Sequence, residues 1–462
     1  MTKKAFTLDK LIFSEKLKTL ILKKGPHLSL LDVFSLFNKE KLYNPNEIRE
    51  FWKEYILESK KRGIETKISF YIHIPFCQSK CEYCRHFYWQ RHNAKELDYY
   101  LKSLIFKMNF FKDVFSDIKF KTLYIGGGTP SLLSERQLKN LFTNLYKNFK
   151  FEENGEKTLE CNPFTTTFKK LKILEQFGIN RISFGIQTTD EKILRAMNRG
   201  YQSFDLIKRT INNAKKCKFK RINVDLMIGL AGDSAETAIK SFSQVAALRP
   251  DSIALYPLQP TDDYLKKFYN SNKKYFYKEL KNKINEFFAL IKKVAEKYNY
   301  LYFFPLSEAL NQITDEWNFI SKEYTTHQEK QFSFIYDDTE KIDCFGLGTQ
   351  SASYIFGKLR YQDVGKGFYP LEPTERMYRA IKFNNLKEQK LYYLLTGLDS
   401  NKLSLWAYEK LFSSNLLEDF QRAITELKKL NKIKIKRDLI FLTSKSPLQR
   451  FVDSIFFLIK AQ

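Results

Sequence analysis

Long apolar runs are missing from this sequence. No stretch of about 18 consecutive apolar residues, the length that spans a bilayer, occurs in its 462 residues. The first residues, MTKKAFTLDKLIFSEKLKTL, contain lysines but neither a continuous apolar core nor a small-residue cleavage site. Because both features are missing, a membrane-spanning helix and a secretory leader are not expected. We therefore expect a cytoplasmic protein.

Cysteine is also scarce, and acidic residues are in the minority. Six cysteines are too few for a disulfide framework in a chain of this length, which indicates a reducing compartment. The net charge of +26 would suit nucleic-acid binding, but the lysines are scattered and no recognisable nucleic-acid module accompanies them. Nucleic acid is therefore not the expected partner. A basic cleft for a carboxylate-rich small molecule remains compatible with this charge.

The order of apolar segments predicts the fold class. From residue 67 onward, short apolar runs alternate with amphipathic helical stretches such as ERQLKNLFTNLYKNF. Repeated β–α units of this kind predict an α/β fold, with a parallel sheet curled into a partial or full (β/α) barrel. The strand-like runs lie at 121–128, 157–163, 181–187, 222–229 and 252–258.

The segments on either side of this barrel differ from it. Residues 1–66 are predicted to form a helical extension, and residues 67–262 form the barrel core. Residues 263–380, which begin with a long helical stretch at 263–298, are expected to complete the active site. Residues 381–462 are helical with a short β element, KIKIKRDLIFLTS, and are predicted to form a smaller winged-helix-like accessory domain.

Three of the six cysteines, Cys77, Cys81 and Cys84, are clustered directly after the strand-like run YIHI. Zinc sites usually use four ligands in paired CxxC-type motifs, and the sequence contains no second pair. Three thiolates without a fourth instead suit an iron–sulfur cluster that keeps one iron open. The remaining cysteines are solitary and are expected to be buried thiols: Cys161, Cys217 and Cys344.

The CxxxCxxC spacing with Tyr83 before its last cysteine is the signature of the radical S-adenosylmethionine (SAM) superfamily. The preceding YIHIPFC resembles the branch that contains oxygen-independent coproporphyrinogen III oxidase. The resemblance covers roughly residues 67–360 and implies a barrel of the radical SAM type. Six further motifs follow in order: GGGTPS (126–131), ECNP (160–163), GINRISFGIQT (178–188), NVDLMIGL (223–230), RPDSIALYPL (249–258) and GLGTQSASY (346–354).

The resemblance also implies the cofactors and their binding residues. A 4Fe-4S cluster would bind SAM at its open iron and cleave it reductively to a 5'-deoxyadenosyl radical, with an electron donor such as flavodoxin or ferredoxin as partner. By resemblance, Tyr71, Gly127 and Glu160 would contact the cluster-bound SAM. A second SAM molecule would be lined by Tyr83, Gly128, Thr129, Gln187, Arg199, Asp225 and Gln259.

Several of these residues also have an ordinary structural interpretation. Glu160 and Asp225 could be strand-end carboxylates, and Arg199 could be a cation at a helix end. Their placement on consecutive strand ends favours a binding site, because barrel active sites lie there. Among the histidines, His73 is expected to be a packed core residue, whereas His86 and His327 are candidate proton donors.

Three departures from the oxidase pattern leave the reaction open. Arg85 and His86 replace a Gly-Cys pair, GLAGDS occupies residues 229–234, and Gln259 replaces a small residue. The segment CRHFYWQ is more similar to haem-utilisation relatives that open the porphyrin ring while transferring a methyl group. The sequence is therefore compatible with a radical SAM enzyme acting on a tetrapyrrole, a haem chaperone, or a two-SAM methyltransferase acting on an aromatic natural product.

Overall fold

A computed structural model of the chain describes residues 40–63, 65–85, 89–90, 93–303, 317–322, 343–355, 358–365, 375–382, 385–399, 403–436 and 438–443. The predictions made for residues 1–39, His86 and His327 lie outside the described residues.

The strands of the described residues are numbered in chain order. The first ten are β1 (Lys41–Tyr43), β2 (Ile68–Ile74), β3 (Phe76–Cys77), β4 (Trp89–Gln90), β5 (Lys119–Phe120), β6 (Thr122–Gly127), β7 (Lys150–Phe151), β8 (Lys157–Cys161), β9 (Arg181–Gln187) and β10 (Arg221–Ile228). The others are β11 (Ser252–Pro257), β12 (Tyr300–Phe303), β13 (Trp317–Ser321), β14 (Asp343–Leu347), β15 (Ala352–Ile355), β16 (Leu359–Asp363), β17 (Tyr378–Lys382), β18 (Leu403–Ser404), β19 (Ile433–Lys436) and β20 (Leu439–Leu442).

The α-helices are numbered in the same way. Two short 3-10 helices, Lys112–Phe115 and Pro130–Leu132, accompany them. The helices are α1 (Pro45–Lys61), α2 (Ala94–Phe111), α3 (Glu135–Asn148), α4 (Phe168–Gln176), α5 (Glu191–Ala196), α6 (Phe204–Lys215), α7 (Ala235–Ala247), α8 (Asp262–Tyr269), α9 (Lys273–Lys297), α10 (Leu386–Asp399), α11 (Leu405–Phe412), α12 (Leu416–Asp419) and α13 (Gln421–Lys429).

A large, mostly parallel sheet forms the centre of the fold. Over the described residues its order is β1-β17-β16-β15-β14-β2-β6-β8-β9-β10-β11-β13-β12. Neighbouring strands from β14 through β11 pair in parallel, and one or two helices connect each successive pair from β2 to β11. The predicted α/β fold is thus confirmed. Because the described order is linear, with β1 at one end and β12 at the other, the barrel is partial rather than closed.

The predicted strands match the observed ones closely. The segment RISFGIQ is β9 over its whole length, and the runs predicted at 121–128, 157–163, 222–229 and 252–258 contain most or all of β6, β8, β10 and β11. The single long helix predicted at 263–298 is instead two helices, α8 and α9. They are separated because Asn270 and Ser271 adopt left-handed backbone conformations, with φ of 47° and 61°, which end a right-handed helix.

Along the parallel strands, polar side chains that face the inside of the barrel alternate with apolar side chains that face the outside and form the hydrophobic core. On β9, Ile182, Phe184 and Ile186 are completely buried in the hydrophobic core. The intervening residues of β9 face the other side, because successive strand side chains point to opposite faces. The same alternation on β10 places Val224 and Leu226 in the core and Asp225 opposite them. The interior of the barrel is therefore free to carry polar groups.

Side-chain caps define where the barrel helices begin after each strand. Asn93, Ser134 and Ser234 each accept a hydrogen bond from the third helical residue, and the side chain of that residue bonds back to the cap. Such capping boxes satisfy backbone N–H groups that the first helical turn leaves unpaired. These caps therefore fix the first residues of α2, α3 and α7.

The C-terminal part contains a small sheet that is separate from the large one. Strands β18, β20 and β19 pair antiparallel, and the predicted β element KIKIKRDLIFLTS supplies β19 and β20. Helices α10–α13 precede or separate these strands in the chain. None of the helices in the described part of the chain combines the length and the hydropathy of a membrane span.

Candidate active site

A cavity of about 730 Å³ lies at the C-terminal ends of the parallel strands. Every residue predicted to bind a cluster or SAM lines this cavity, although these residues come from segments spread over more than 180 positions. They are Tyr71, Cys77, Cys81, Tyr83, Cys84, Gly127, Gly128, Thr129, Glu160, Gln187, Arg199, Asp225 and Gln259.

The loop that carries the three cysteines is attached to the segment after helix α5. The backbone N–H of Glu82 donates to the carbonyl of Met197 at 3.3 Å, and the side-chain amide of Asn198 donates to the carbonyl of Lys80 at 2.7 Å. Within the loop, the N–H of Cys84 donates to the carbonyl of Cys81 at 3.0 Å. These bonds hold the loop over one side of the cavity.

The thiols provide a donor set that fits an iron–sulfur cluster. All three are partly exposed and line the cavity, and thiolates are the usual ligands of such clusters. Burial raises the pKa of Cys77 to about 11, although a hydrogen bond from Thr129 opposes this effect. Binding a metal would therefore displace a proton from this thiol. Among the described residues, no three His, Cys, Asp or Glu side chains are grouped to hold a metal ion, so the fit rests on donor chemistry and a shared cavity.

Two glycines of the GGG segment are required by close packing against the cysteine loop. Gly127 has φ of 117°, and a Cβ there would lie 2.8 Å from the imidazole of His73. A Cβ on Gly128 would lie 2.7 Å from the carbonyl oxygen of Phe76 and 3.0 Å from the sulfur of Cys77. Because only glycine fits there, β6 can approach the first cysteine closely.

The carboxylate of Glu160 is fixed at both of its oxygens. The hydroxyl of Tyr124 donates to Oε1 at 2.6 Å, and the backbone N–H of Gly127 donates to Oε2 at 3.2 Å. Burial raises the pKa of Tyr124 well above its usual range, so its hydroxyl keeps the proton that it donates. Nearby, Tyr71 shares a 2.8 Å hydrogen bond with Nδ1 of His73, which is buried as expected for a packed residue.

Asp225 belongs to a polar network inside the barrel. Its two oxygens accept hydrogen bonds from the hydroxyl of Ser183 at 2.8 Å and from the amide of Asn223 at 2.7 Å. The network continues through the hydroxyl of Ser252, which donates to Asn223 and accepts from Arg221 Nε at 3.0 Å. The orientation of the Asp225 carboxylate is therefore set by residues on three adjacent strands.

Arg199 is a buried cation next to the cysteine loop. Its Nη1 lies 3.1 Å from the hydroxyl of Tyr83 and 3.7 Å from the sulfur of Cys81. Burial by itself would lower the pKa of Arg199, but Tyr83 and Cys81 outweigh that effect and leave the pKa raised. The guanidinium group therefore stays protonated at any physiological pH.

Gln187 and Gln259 are the remaining residues predicted to bind SAM, and they lie at the end of β9 and after β11. Gln187 has φ of 72° and lies at a β-bulge between β9 and β10, a distortion that redirects a side chain. Gln259 follows β11, and its side-chain oxygen accepts a hydrogen bond from Arg85, across the mouth of the cavity.

The sequence reasoning missed several polar residues that line the same cavity, including Tyr124, Arg181, Ser183 and Tyr201. Arg181 is 15% exposed and pairs with Glu156 at 3.7 Å. For Arg181 and Ser183 the signal was present in the alternation of RISFGIQ, whose odd positions face the cavity. Tyr124 lies on a different strand and Tyr201 on none, so this alternation marks neither of them.

Comparison with known proteins shows that the chain contains a radical SAM domain and is similar to haem chaperones. The model of the radical SAM superfamily matches residues 71–245. The chain is 37% identical over 195 residues to the haem chaperone HemW of Haemophilus influenzae, covering 41% of this chain and 51% of that protein. It is 27% identical over 382 residues to HemW of Lactococcus lactis, covering 82% of this chain and 93% of that protein.

The chain is also similar to oxygen-independent coproporphyrinogen III oxidases. The chain is 30% identical over 210 residues to the oxygen-independent coproporphyrinogen III oxidase of Escherichia coli, covering 45% of each protein. For several of these curated relatives, the chain spans only about half of their length.

The solved structure of coproporphyrinogen III oxidase (HemN) from E. coli superposes with a TM-score of 0.64 at 20% identity, covering 86% of this chain and 91% of that one. This similarity supports the fold. Residues 71–245 thus form a radical SAM domain, and the chain is similar in sequence to HemW haem chaperones and to oxygen-independent coproporphyrinogen III oxidases.

Proposed function

We propose that this chain is a radical SAM enzyme that acts on a tetrapyrrole, with a 4Fe-4S cluster bound by Cys77, Cys81 and Cys84. The observation that supports this proposal most directly is that those three thiols and all the residues expected to bind SAM line one cavity. When bound, the cluster and SAM together supply a 5'-deoxyadenosyl radical. A one-electron donor such as flavodoxin or ferredoxin would act as the partner.

The protein would orient the cluster-bound SAM through Tyr71, Gly127 and Glu160. The carboxylate of Glu160 is held by Tyr124 and by the N–H of Gly127, so it is already aligned to receive a cationic group such as the ammonium of SAM. The absence of a side chain at Gly127 lets its backbone N–H reach Glu160 beside the imidazole of His73. The role of these residues is therefore to bind and orient SAM.

A second ligand site extends towards the later strands. Tyr83, Gly128, Thr129, Gln187, Arg199, Asp225 and Gln259 line it, and the proposal is that they hold a second SAM molecule. A volume of about 730 Å³ lies within the range of small-molecule sites, about 300–1,000 Å³. The network around Asp225 supports this role, because it fixes the orientation of a half-buried carboxylate that lines the cavity.

The segment after residue 262 is proposed to complete this site, while residues 67–262 form its core. Lys267 on α8 pairs with Glu82 of the cysteine loop at 2.8 Å. This contact supports the proposal, because it connects the predicted extension to the loop that would hold the cluster.

Support for a tetrapyrrole comes from charge and from the relatives. Arg85 and Arg181 both line the cavity, and guanidinium groups bind carboxylates such as tetrapyrrole propionates through paired hydrogen bonds. The relatives are named as haem chaperones and as a coproporphyrinogen oxidase. The runner-up function is haem chaperone, and it is favoured by the HemW match along 93% of the L. lactis protein.

One anaerobic experiment separates these functions. The reconstituted chain is incubated with SAM, a strong reductant and haem, and Cys81→Ala serves as the control that should cleave no SAM. An enzyme acting on haem yields 5'-deoxyadenosine in proportion to a modified, iron-free tetrapyrrole. Haem that is bound but recovered intact supports the chaperone. Failure to bind any porphyrin contradicts both and leaves a two-SAM methyltransferase of aromatic natural products.

A further inference from the structure

We propose that Arg199 raises the reduction potential of the cluster by donating a hydrogen bond to the sulfur of Cys81. This role rests on the cluster assignment in the proposed function, but not on the substrate or on SAM binding. It also differs from contact with a second SAM molecule. The relevant contact is the 3.7 Å approach of Nη1 to the Cys81 sulfur, which lies within hydrogen-bonding range for a sulfur acceptor.

The guanidinium group of Arg199 is held in place by residues outside the cysteine loop. Its Nη2 donates to Gln202 Oε1 at 2.8 Å and to the carbonyl of Gly185 on β9. Gln202 is itself fixed by a 2.8 Å hydrogen bond to the carbonyl of Ile186. The position of the donor is therefore set by the barrel and does not depend on how the loop is ordered.

The cysteine loop is held towards this donor. Asn198, directly before Arg199, bonds the carbonyl of Lys80, and the N–H of Glu82 bonds the carbonyl of Met197. The same Nη1 also lies 3.1 Å from the hydroxyl of Tyr83. Three consecutive residues after α5 thus contact the loop on both sides of Cys81, which keeps the sulfur within reach of the cation.

The burial of Arg199 makes this contact effective. The residue is 5% exposed, so water screens its charge weakly. Reduction of the cluster adds one electron, which a one-electron donor supplies, and no covalent bond of the protein forms or breaks. Because a fixed positive charge and a hydrogen bond to a ligand sulfur stabilise the more negative state, they make reduction more favourable.

The experiment compares midpoint potentials of the reconstituted cluster, measured by redox titration with electron paramagnetic resonance detection in the absence of SAM. Arg199→Gln and Arg199→Met are compared with Arg195→Gln. Arg195 is a matched control, since it lies on α5 four positions before Arg199, is 61% exposed and pairs with Glu191 on its own helix at 3.7 Å. We expect Arg199→Met to lower the equilibrium constant for reduction about tenfold, a shift of about 59 mV for one electron. Arg199→Gln should shift in the same direction, and Arg195→Gln should match the wild type.

Every result decides the question. Equal shifts in the Arg199 and Arg195 variants would assign the effect to net charge and overturn the proposal, and so would an unchanged potential in Arg199→Gln. If both Arg199 variants lose the cluster, Arg199 serves assembly and not the potential. If the wild type forms no 4Fe-4S cluster, the proposed function fails and this inference fails with it. A wild type that forms the cluster but cleaves no SAM contradicts only the proposed function.

Discussion

The hydroxyl of Tyr124 donates a 2.6 Å hydrogen bond to Glu160 across the neighbouring strands β6 and β8. A tyrosine fixes this carboxylate from the interior side, while the backbone of Gly127 fixes it from the strand end. Tyr124 therefore acts as a positioning residue for Glu160.

The first prediction concerns this pair. Tyr124→Phe should weaken SAM binding at least about tenfold, because a hydrogen bond to a charged group contributes about 1.5–3 kcal/mol and about 1.4 kcal/mol corresponds to a factor of ten. Equilibrium binding of SAM to the reconstituted protein measures the change. Tyr146→Phe is a matched control, since its hydroxyl donates to the carbonyl of Phe177 at 2.7 Å, away from the cavity. Equal affinities in the wild type and Tyr124→Phe would show that Glu160 needs no such support.

The second prediction concerns the cluster ligands. Replacing Cys77, Cys81 or Cys84 by Ala should abolish the 4Fe-4S absorption after anaerobic reconstitution, because three thiolates are needed to hold three irons. Cys161, Cys217 and Cys344 should be replaceable, since each is buried as a free thiol. Iron and sulfide analysis provides an independent measurement. A full cluster in Cys81→Ala would exclude the assignment.

The third prediction concerns the number of SAM molecules. The intact reconstituted protein should bind two, and Asp225→Ala should bind one while still cleaving SAM at the cluster. Asp225→Asn keeps the size of the side chain and separates loss of charge from loss of packing. Asp263→Ala, at an exposed position on α8, is the control that should retain both sites. A single site in the unmodified protein would mean that Asp225 and its network are structural.

The fourth prediction concerns thiol reactivity and pH. Burial raises the pKa of Cys161 to about 12, although Thr166 opposes this effect, so the folded thiol stays protonated at pH 8. Since the thiolate is the reactive form, Cys161 should resist iodoacetamide in the folded chain and react after denaturation. Its alkylation should accelerate as the pH rises towards 12. Peptide mapping by mass spectrometry follows the reaction, and rapid labelling of folded Cys161 at pH 8 would contradict the pKa shift.

Local sequence features predicted the elements of the fold well because they depend on short-range periodicity. RISFGIQ alternates polar and apolar residues, and the strand it forms places Phe184 in the core and Gln187 at the cavity. The break at Asn270 was missed because the surrounding charged and aromatic residues keep a helical pattern, although the run Asn270, Ser271 and Asn272 is typical of a turn.

The candidate site was predicted as a set of residues, but the contacts between them were not. Tyr124 lies inside the barrel outside every motif of the sequence, and Arg181 lies within GINRISFGIQT at a position to which the resemblance assigned no role. Arg199 and Cys81 are 118 positions apart, and their contact depends on how the segment after α5 folds back onto the cysteine loop. No periodicity in the chain encodes a distance between such separated segments.

The sequence by itself therefore determined which residues could bind a cluster, which segments form strands and which side of each strand is apolar. The tertiary structure decided which strands are neighbours and which side chains meet. Strand β14, for example, pairs in parallel with β2 at Cys344 and Ser69, although 275 positions separate them. The physical reason is that periodicity and cysteine spacing are local properties, whereas strand pairing and the burial of Arg199 depend on packing of the whole barrel.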